Sequence, residues 1–249
     1  METGIRKRVE RLLARLESTP QYPGQGKTLF VDLEQRSSQS AYLPMSFVGH
    51  FLGGRGANMA LLYNLLDDSR EALDPEVPLI FGVGMLTTTL PSATRGNFTS
   101  RSPDSKAILD ASGGDYFPAF MKRNGYDHLV LYGRHTQWTL LELHGDEIAF
   151  RDATPYLGMD NIDFSAAIQR DLECKERETM AMARITSAGE NLVLSSGIMG
   201  GPKAIWARGG GGAKMGSLGL KAIIVRGKGS QVKVSTAYKL GGKAMGQKT

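Results

Sequence analysis

Cysteine is almost absent from these 249 residues: Cys174 stands alone. One thiol excludes an internal disulfide framework and any iron–sulfur cluster ligated wholly by this chain. Histidine is scarce as well. His50, His128, His135 and His144 never fall at i, i+3 or i+4 to one another, so their spacing offers no self-contained zinc site. No apolar run approaches the roughly 20 residues that cross a bilayer. The opening METGIRKRVERLLARLE mixes acids with bases and has no signal-peptide core. The expectation is a soluble, cytoplasmic protein that makes no use of a membrane.

Acids are missing from the last fifth. Residues 203–249 hold ten Lys and Arg and no Asp or Glu, whereas residues 16–202 carry fifteen basic and twenty-three acidic residues. A net charge of +5 conceals that asymmetry. Nucleic acid is one partner for a cationic end. The bases are spaced singly, with few aromatics between them and no recognisable motif, which disfavours it. Cofactor phosphates or an acidic partner surface account for the charge equally well. The 41% apolar content excludes a disordered chain, and the length allows a substantial core.

Ile5, Val9, Leu12, Leu13 and Leu16 recur at helical spacing, an amphipathic helix that docks on the domain or on another subunit. Strands are expected in TLFVDL after Lys27, in LIFGVGM at 79–85 and over His128–Tyr132. Two hairpins are also expected, one joining Asn97–Ser100 to Ala107–Leu109 and one joining Trp138–Leu143 to Ile148–Arg151. Helices are expected over Gly56–Leu66 and about 163–172. Many short strands with interspersed helices, without strict strand–helix alternation, favour an α+β fold.

The run ARGGGGAKMGSLGLKAIIVRG, from Ala207 to Gly227, is the most unusual stretch. Four consecutive glycines carry a large backbone-entropy cost, and LKAIIV after them reads as a buried strand, so the run belongs to folded structure. Glycine amides converging on an anion, with Arg208 as a charged donor, suit a phosphate-bearing ligand. A flexible loop is the plainer reading. A nucleotide P-loop is disfavoured, because Lys214 has neither a glycine before it nor a hydroxyl residue after it.

Three stretches stand together: GGRGANMALLYN at 53–64, TRGNFTSRSP with ASGGDYFPAFMKRNGYDHLVLYG within 94–133, and SAGENLVLSSGIM with the glycine run within 187–227. With RDATPYLGMD after the second hairpin, they resemble, in order and spacing over about residues 27–228, the N-terminal domain of the aldehyde:ferredoxin oxidoreductase family. These are tungsten enzymes with two pterins on one metal. The resemblance implies two β-sheets forming a cofactor-supporting saddle over 27–228, an N-terminal helical extension over 1–26 and a basic tail over 229–249. It implies a tungsten or molybdenum bis-pterin shared with a partner. That partner is a larger subunit carrying the iron–sulfur cluster and the catalytic domains, linked to iron–sulfur electron-transfer proteins.

By the same resemblance, Arg95, Gly96 and Asn97 match an arginine facing the pterins and the residues after it. Ser112, Gly113 and Gly114 match the turn beneath the pterins, and Arg208, Gly209, Gly210 and Gly211 match the loop that cradles the pterin phosphates. No residue is marked as a catalyst or as a metal ligand. Ala111 replaces the family's asparagine, Ala204 replaces an arginine, and Ile205 and Trp206 replace small residues. These departures favour an alternative, a non-catalytic scaffold paralogue whose pterin site has decayed.

Overall fold

Strand segments such as TLFVD and LIFGV are apolar on both faces, so each requires cover on both sides. The computed structural model, which describes residues 4–90, 92–234 and 236, supplies that cover with two sheets between helical layers. The rest of the tail expected over 229–249 lies outside the described residues. In chain order the elements are α1 (Gly4–Leu13), β1 (Lys27–Asp32), β2 (Ser37–Ala41), α2 (Met45–Phe51), α3 (Gly54–Leu65) and β3 (Leu79–Val83). Then come β4 (Gly96–Arg101), β5 (Ile108–Gly113), α4 (Phe117–Arg123), β6 (Tyr126–Tyr132), β7 (Thr139–His144) and β8 (Glu147–Asp152). The last are α5 (Asn161–Asp171), β9 (Met180–Arg184), α6 (Ser187–Glu190), β10 (Ile198–Met199), β11 (Ile205–Trp206), α7 (Gly211–Ser217) and β12 (Leu220–Arg226).

One six-stranded sheet runs β2-β1-β6-β3-β4-β5 and the other β11-β10-β9-β12-β7-β8. Both are mixed: β1 pairs parallel with β6 and β12 parallel with β7, while their other pairings are antiparallel. Alternation along each strand sorts residues between layers. Leu29, Val31, Phe81 and Leu129 meet Leu141, Leu143, Ala183 and Ile223 in the core between the sheets. Phe30, Ile80 and Val130 point the other way, onto α1, α2 and α3. Leu140, Met182 and Ile224 face α5 through Phe164 and Ile168. The fold is thus α+β, as its sequence pattern implied.

The amphipathic helix α1 is part of this packing. Ile5, Val9 and Leu12 are buried against Leu61, Leu62 and Leu65 of α3, and Arg6 binds Asp32 at 2.5 Å and Glu34 at 2.7 Å. Its apolar face is satisfied inside the chain.

Two elements form without a matching local sequence signal. The polar stretch after β1 is ordered: Ser37–Ala41 form the edge strand β2, whose exposed hydroxyl and amide residues carry no apolar alternation to read. The glycine run is not wholly a loop. Gly211 and Gly212 open α7, where a Cβ on Gly211 would strike the Phe98 ring and one on Gly212 would strike Ser196 and Gly197. Close packing against β4 and the chain before β10 is what those two positions require, and it leaves no signal in helix propensity.

Candidate cofactor face

The β4–β5 hairpin forms the edge of its sheet, with Gly96 opposite Gly113, Asn97 opposite Ser112 and Arg101 opposite Ile108. Along β5, Ile108 and Ser112 are exposed and Asp110 is half-buried, while Leu109, Ala111 and Gly113 turn inward. Ser112 and Gly113 therefore end a strand, and only Gly114 lies in the following turn.

A buried polar chain supports the outer side of this hairpin. The Asn97 amide donates to the Asp110 carboxylate, to Ser112 Oγ at 3.2 Å and to the Ala111 carbonyl at 3.2 Å. Its Oδ1 accepts from Thr99 Oγ1 at 2.8 Å and from Asn58 Nδ2 at 3.2 Å. Asn58 also donates to the Ile80 and Asn97 carbonyls. Since its nitrogen is committed to oxygens, its Oδ1 is the acceptor toward His128 Nδ1, 2.8 Å away, which fixes the proton on that imidazole nitrogen. At the surface Arg55 Nε pairs with Asp110 at 2.9 Å. Asn58 and His128 escaped the sequence reading; the only signal was one asparagine inside the apolar stretch ANMALL.

Burial pushes the His128 pKa from 6.5 down to about 4, against the attraction of Asp127. A depressed folded-state pKa means that the unfolded chain binds the proton first. The stability tied to this neutral imidazole is present above pH 6.5 and is lost as pH falls from 6.5 toward 4. Imidazole nitrogen NMR should show His128 still neutral, with its proton on Nδ1, at about pH 5.5. Protonation there at the ordinary pKa would contradict the buried chain.

Arg95 lies just before β4 and is exposed. It borders an apolar hollow of about 470 Å³ lined by Leu52, Gly53, Met85, Leu86 and Ala93. Gly96 and Asn97 are buried behind it.

The segment 205–210 runs beside β5, with Trp206 against Gly113 and Gly209 against Leu109. Arg208, Gly209 and Gly210 all have positive φ, at 72°, 77° and 79°. Arginine rarely adopts that conformation, so it marks a backbone held by its surroundings. The turn is anchored by Ser102 Oγ, which donates to the Gly209 carbonyl at 2.9 Å. At Gly210 a Cβ would collide with the Leu194 carbonyl and approach Pro103 Cγ at 2.6 Å, so glycine is required there twice over. Among the described residues, the Gly209, Gly210 and Gly211 amides find no acceptor and Arg208 has no ion-pair partner; the Gly212 amide is taken by the Ser196 carbonyl at 2.9 Å. An exposed guanidinium beside unclaimed amides suits a phosphate.

The other end of the hairpin differs. A Cβ placed on Gly113 would fall on the Trp206 indole, at Cδ1 and Nε1. Trp206 is 1% exposed and packs on Phe81, Phe98 and Phe117 at centroid distances of 5.6, 6.0 and 5.7 Å. The residues present therefore fit the phosphate end of a pterin cofactor and do not leave room for a ring over Gly113. Among the described residues no group of His, Cys, Asp or Glu is placed to hold a metal ion, and no helix is long and apolar enough to cross a membrane.

Two mixed six-stranded sheets in face-to-face packing, with an arginine–glycine turn beside an edge hairpin, define the class of this domain. The model of the aldehyde ferredoxin oxidoreductase N-terminal domain matches residues 28–227, and the chain belongs to that family. It is 36% identical over 178 residues to a tungsten-containing aldehyde ferredoxin oxidoreductase of Pyrococcus furiosus, covering 71% of this chain and 29% of that protein. It is 31% identical to the aliphatic sulfonate oxidoreductase, WOR-like subunit, of the same organism, covering 84% of this chain and 35% of that one. Among solved structures it resembles a chain of the active-site complex BamBC of benzoyl coenzyme A reductase with 1,5-dienoyl-CoA. There the TM-score is 0.80 at 30% identity, over 84% of this chain and 32% of that one. The chain thus spans about a third of the length of the relatives it matches.

Proposed function

We propose that this chain is a cofactor-binding subunit of a tungsten or molybdenum oxidoreductase, acting in the cytoplasm with a larger subunit that carries the iron–sulfur cluster and the catalytic domains. The observation that carries the reading is the turn at Arg208–Gly210, whose guanidinium has no ion-pair partner and whose Gly209 and Gly210 amides have no acceptor among the described residues. Family membership and the tungsten named in the relatives support it. Such a metal–pterin group, when bound, supplies the redox chemistry. The chain's own residues bind and orient: Arg208 and the Gly209 and Gly210 amides would hold a phosphate, while Arg95 and Ser112 flank the hairpin's open end. Electrons would leave through iron–sulfur proteins bound to the larger subunit.

Purifying the complex from its native host and measuring pterin and metal per complex tests this reading. Arg208→Ala removes a charge-assisted contact worth about 1.5–3 kcal/mol. The variant should lower pterin and metal content while the subunit stays folded and partnered. Equal content in the two forms would refute the phosphate cradle. A second reading, a scaffold paralogue without pterin, is favoured by Trp206 lying over Gly113; pterin-free wild-type complex would establish it.

A further inference from the structure

The helix α2 is apolar on every side, a pattern that belongs to a covered helix. Yet of Met45, Phe47, Val48, Phe51 and the residue that ends it, Leu52, only Val48 is buried. Leu52 is 68% exposed and held at a φ of 60°, a conformation that leucine rarely takes. Phe51 lines a groove of about 610 Å³ between α1, α2 and α3, with Leu12, Leu16, Met59 and Tyr63 also in its walls. Leu52 lines the neighbouring hollow beside Arg95. Two depressions therefore flank one apolar ridge. Among the described residues no Asp or Glu lines either one, and each has a basic edge: Arg15 and His50 at the first, Arg95 at the second. Neither arginine has an ion-pair partner among the described residues.

We propose that the groove between α1, α2 and α3 receives an amphipathic α-helix of a partner chain, with its apolar stripe on Phe51 and Tyr63 and acidic residues beside Arg15 and His50. A small molecule does not suit the site, because ligand pockets set a few convergent polar groups among apolar walls. Here Arg15 Nη1 reaches Asn64 Oδ1 at 3.4 Å, and His50 donates its Nδ1–H to the Ser46 carbonyl at 2.6 Å. Exposed Met45 and Leu52 also carry the apolar surface beyond the groove. A depression between helices accepts the ridge of a further helix, whose side chains at i, i+3, i+4 and i+7 fill it. The basic edge selects acidic flanks. It also disfavours a second copy seated groove to groove, which would set Arg15 and His50 against basic groups of their own kind. This docking is independent of what the Arg208 turn binds, since neither depression includes that turn.

Photo-crosslinking of the full chain, assembled in its native host, tests the docking. The photoreactive residue p-benzoylphenylalanine replaces Tyr63, which is 88% exposed, or, as a remote control, Ile162 on α5, which covers the other sheet. The product at position 63 should map by mass spectrometry to a helix of another protein whose apolar residues recur at helical spacing between Asp and Glu. Arg15→Glu with His50→Glu, both at exposed positions, should cut that product by about tenfold or more while far-ultraviolet circular dichroism stays unchanged. Changing the facing carboxylates of the partner helix to lysine should then restore it. A product joining two copies of this chain, one within the chain itself, one on a partner segment without acidic flanks, or none above the Ile162 control would each overturn the proposal. So would crosslinking that survives the charge reversal. Vesicles of phosphatidylglycerol should leave the chain in solution on sedimentation; binding to them that the charge reversal abolishes would overturn the proposal in favour of a membrane surface.

Discussion

Gly113→Ala is expected to destabilise the chain by about 3–5 kcal/mol, in the tail of single-substitution effects. One added methyl lands on the Trp206 indole, and the ring has no path of retreat. Phe81, Phe98 and Phe117 surround it and Gly200 lies against its far edge. Trp206→Ala alone should cost a similar amount, about 3–5 kcal/mol, by leaving a cavity in the same cluster. The two costs should not add. With the indole gone the new methyl has room, so the double variant should be about as stable as Trp206→Ala alone, a coupling of several kcal/mol between neighbours. Urea unfolding of the four chains measures it. Additive losses would show that Gly113 is needed for a reason other than the indole.

Lys214→Met is expected to stabilise the protein at neutral pH by about 2–3 kcal/mol. Lys214 is fully buried on α7, and its Nζ has one described acceptor, the Asp74 carbonyl at 2.8 Å. Burial lowers its pKa from 10.5 to about 7, against a weaker upward pull from the Asp74 carboxylate. Between those values the unfolded chain holds a proton that the folded chain has released, so stability rises with pH from about 7 toward 10.5. At about 1.36 kcal/mol per pH unit the gain from about pH 7 to about 9.5 approaches 3 kcal/mol. Methionine fills a similar volume without a charge to desolvate, at the cost of an unpaired Asp74 carbonyl of about 1 kcal/mol. The urea midpoint of the wild type should climb over that pH range and that of the variant should stay level. Parallel curves would mean that Lys214 is solvated in a way its burial does not suggest.

Much of the fold was legible because its causes are local. LFVD, LIFGV, HLVLY and LKAIIV announce strands covered on both faces, and all lie in β1, β3, β6 and β12. HGDE between two alternating runs announced the β7–β8 hairpin. What escaped lacks a local cause. The edge strand β2 is SSQSA, held in register by β1 and by nothing in its own pattern. The helix α7 begins in glycines, which disfavour helix in isolation; Phe98, Ser196 and Gly197 pack where side chains would otherwise be. Of the residues marked for the cofactor, Arg95, Ser112 and Arg208 are exposed, whereas Gly96, Asn97, Gly113, Gly210 and Gly211 are buried. A motif match assigns residue types to a neighbourhood and is blind to which side of a strand each faces.

By itself the sequence determined the α+β class, the family and the arginine–glycine turn, since strand periodicity, motif order and a four-glycine run are written in adjacent residues. Only the tertiary structure decided that Trp206 packs against Gly113 in the core between the sheets, that Asn58 and His128 support Asn97 from within, and that Lys214 is buried under the loop containing Asp74. These relations join residues separated by 39 to 140 positions. They are set by which faces the two sheets and the helices leave to one another, and no window of consecutive residues contains that information.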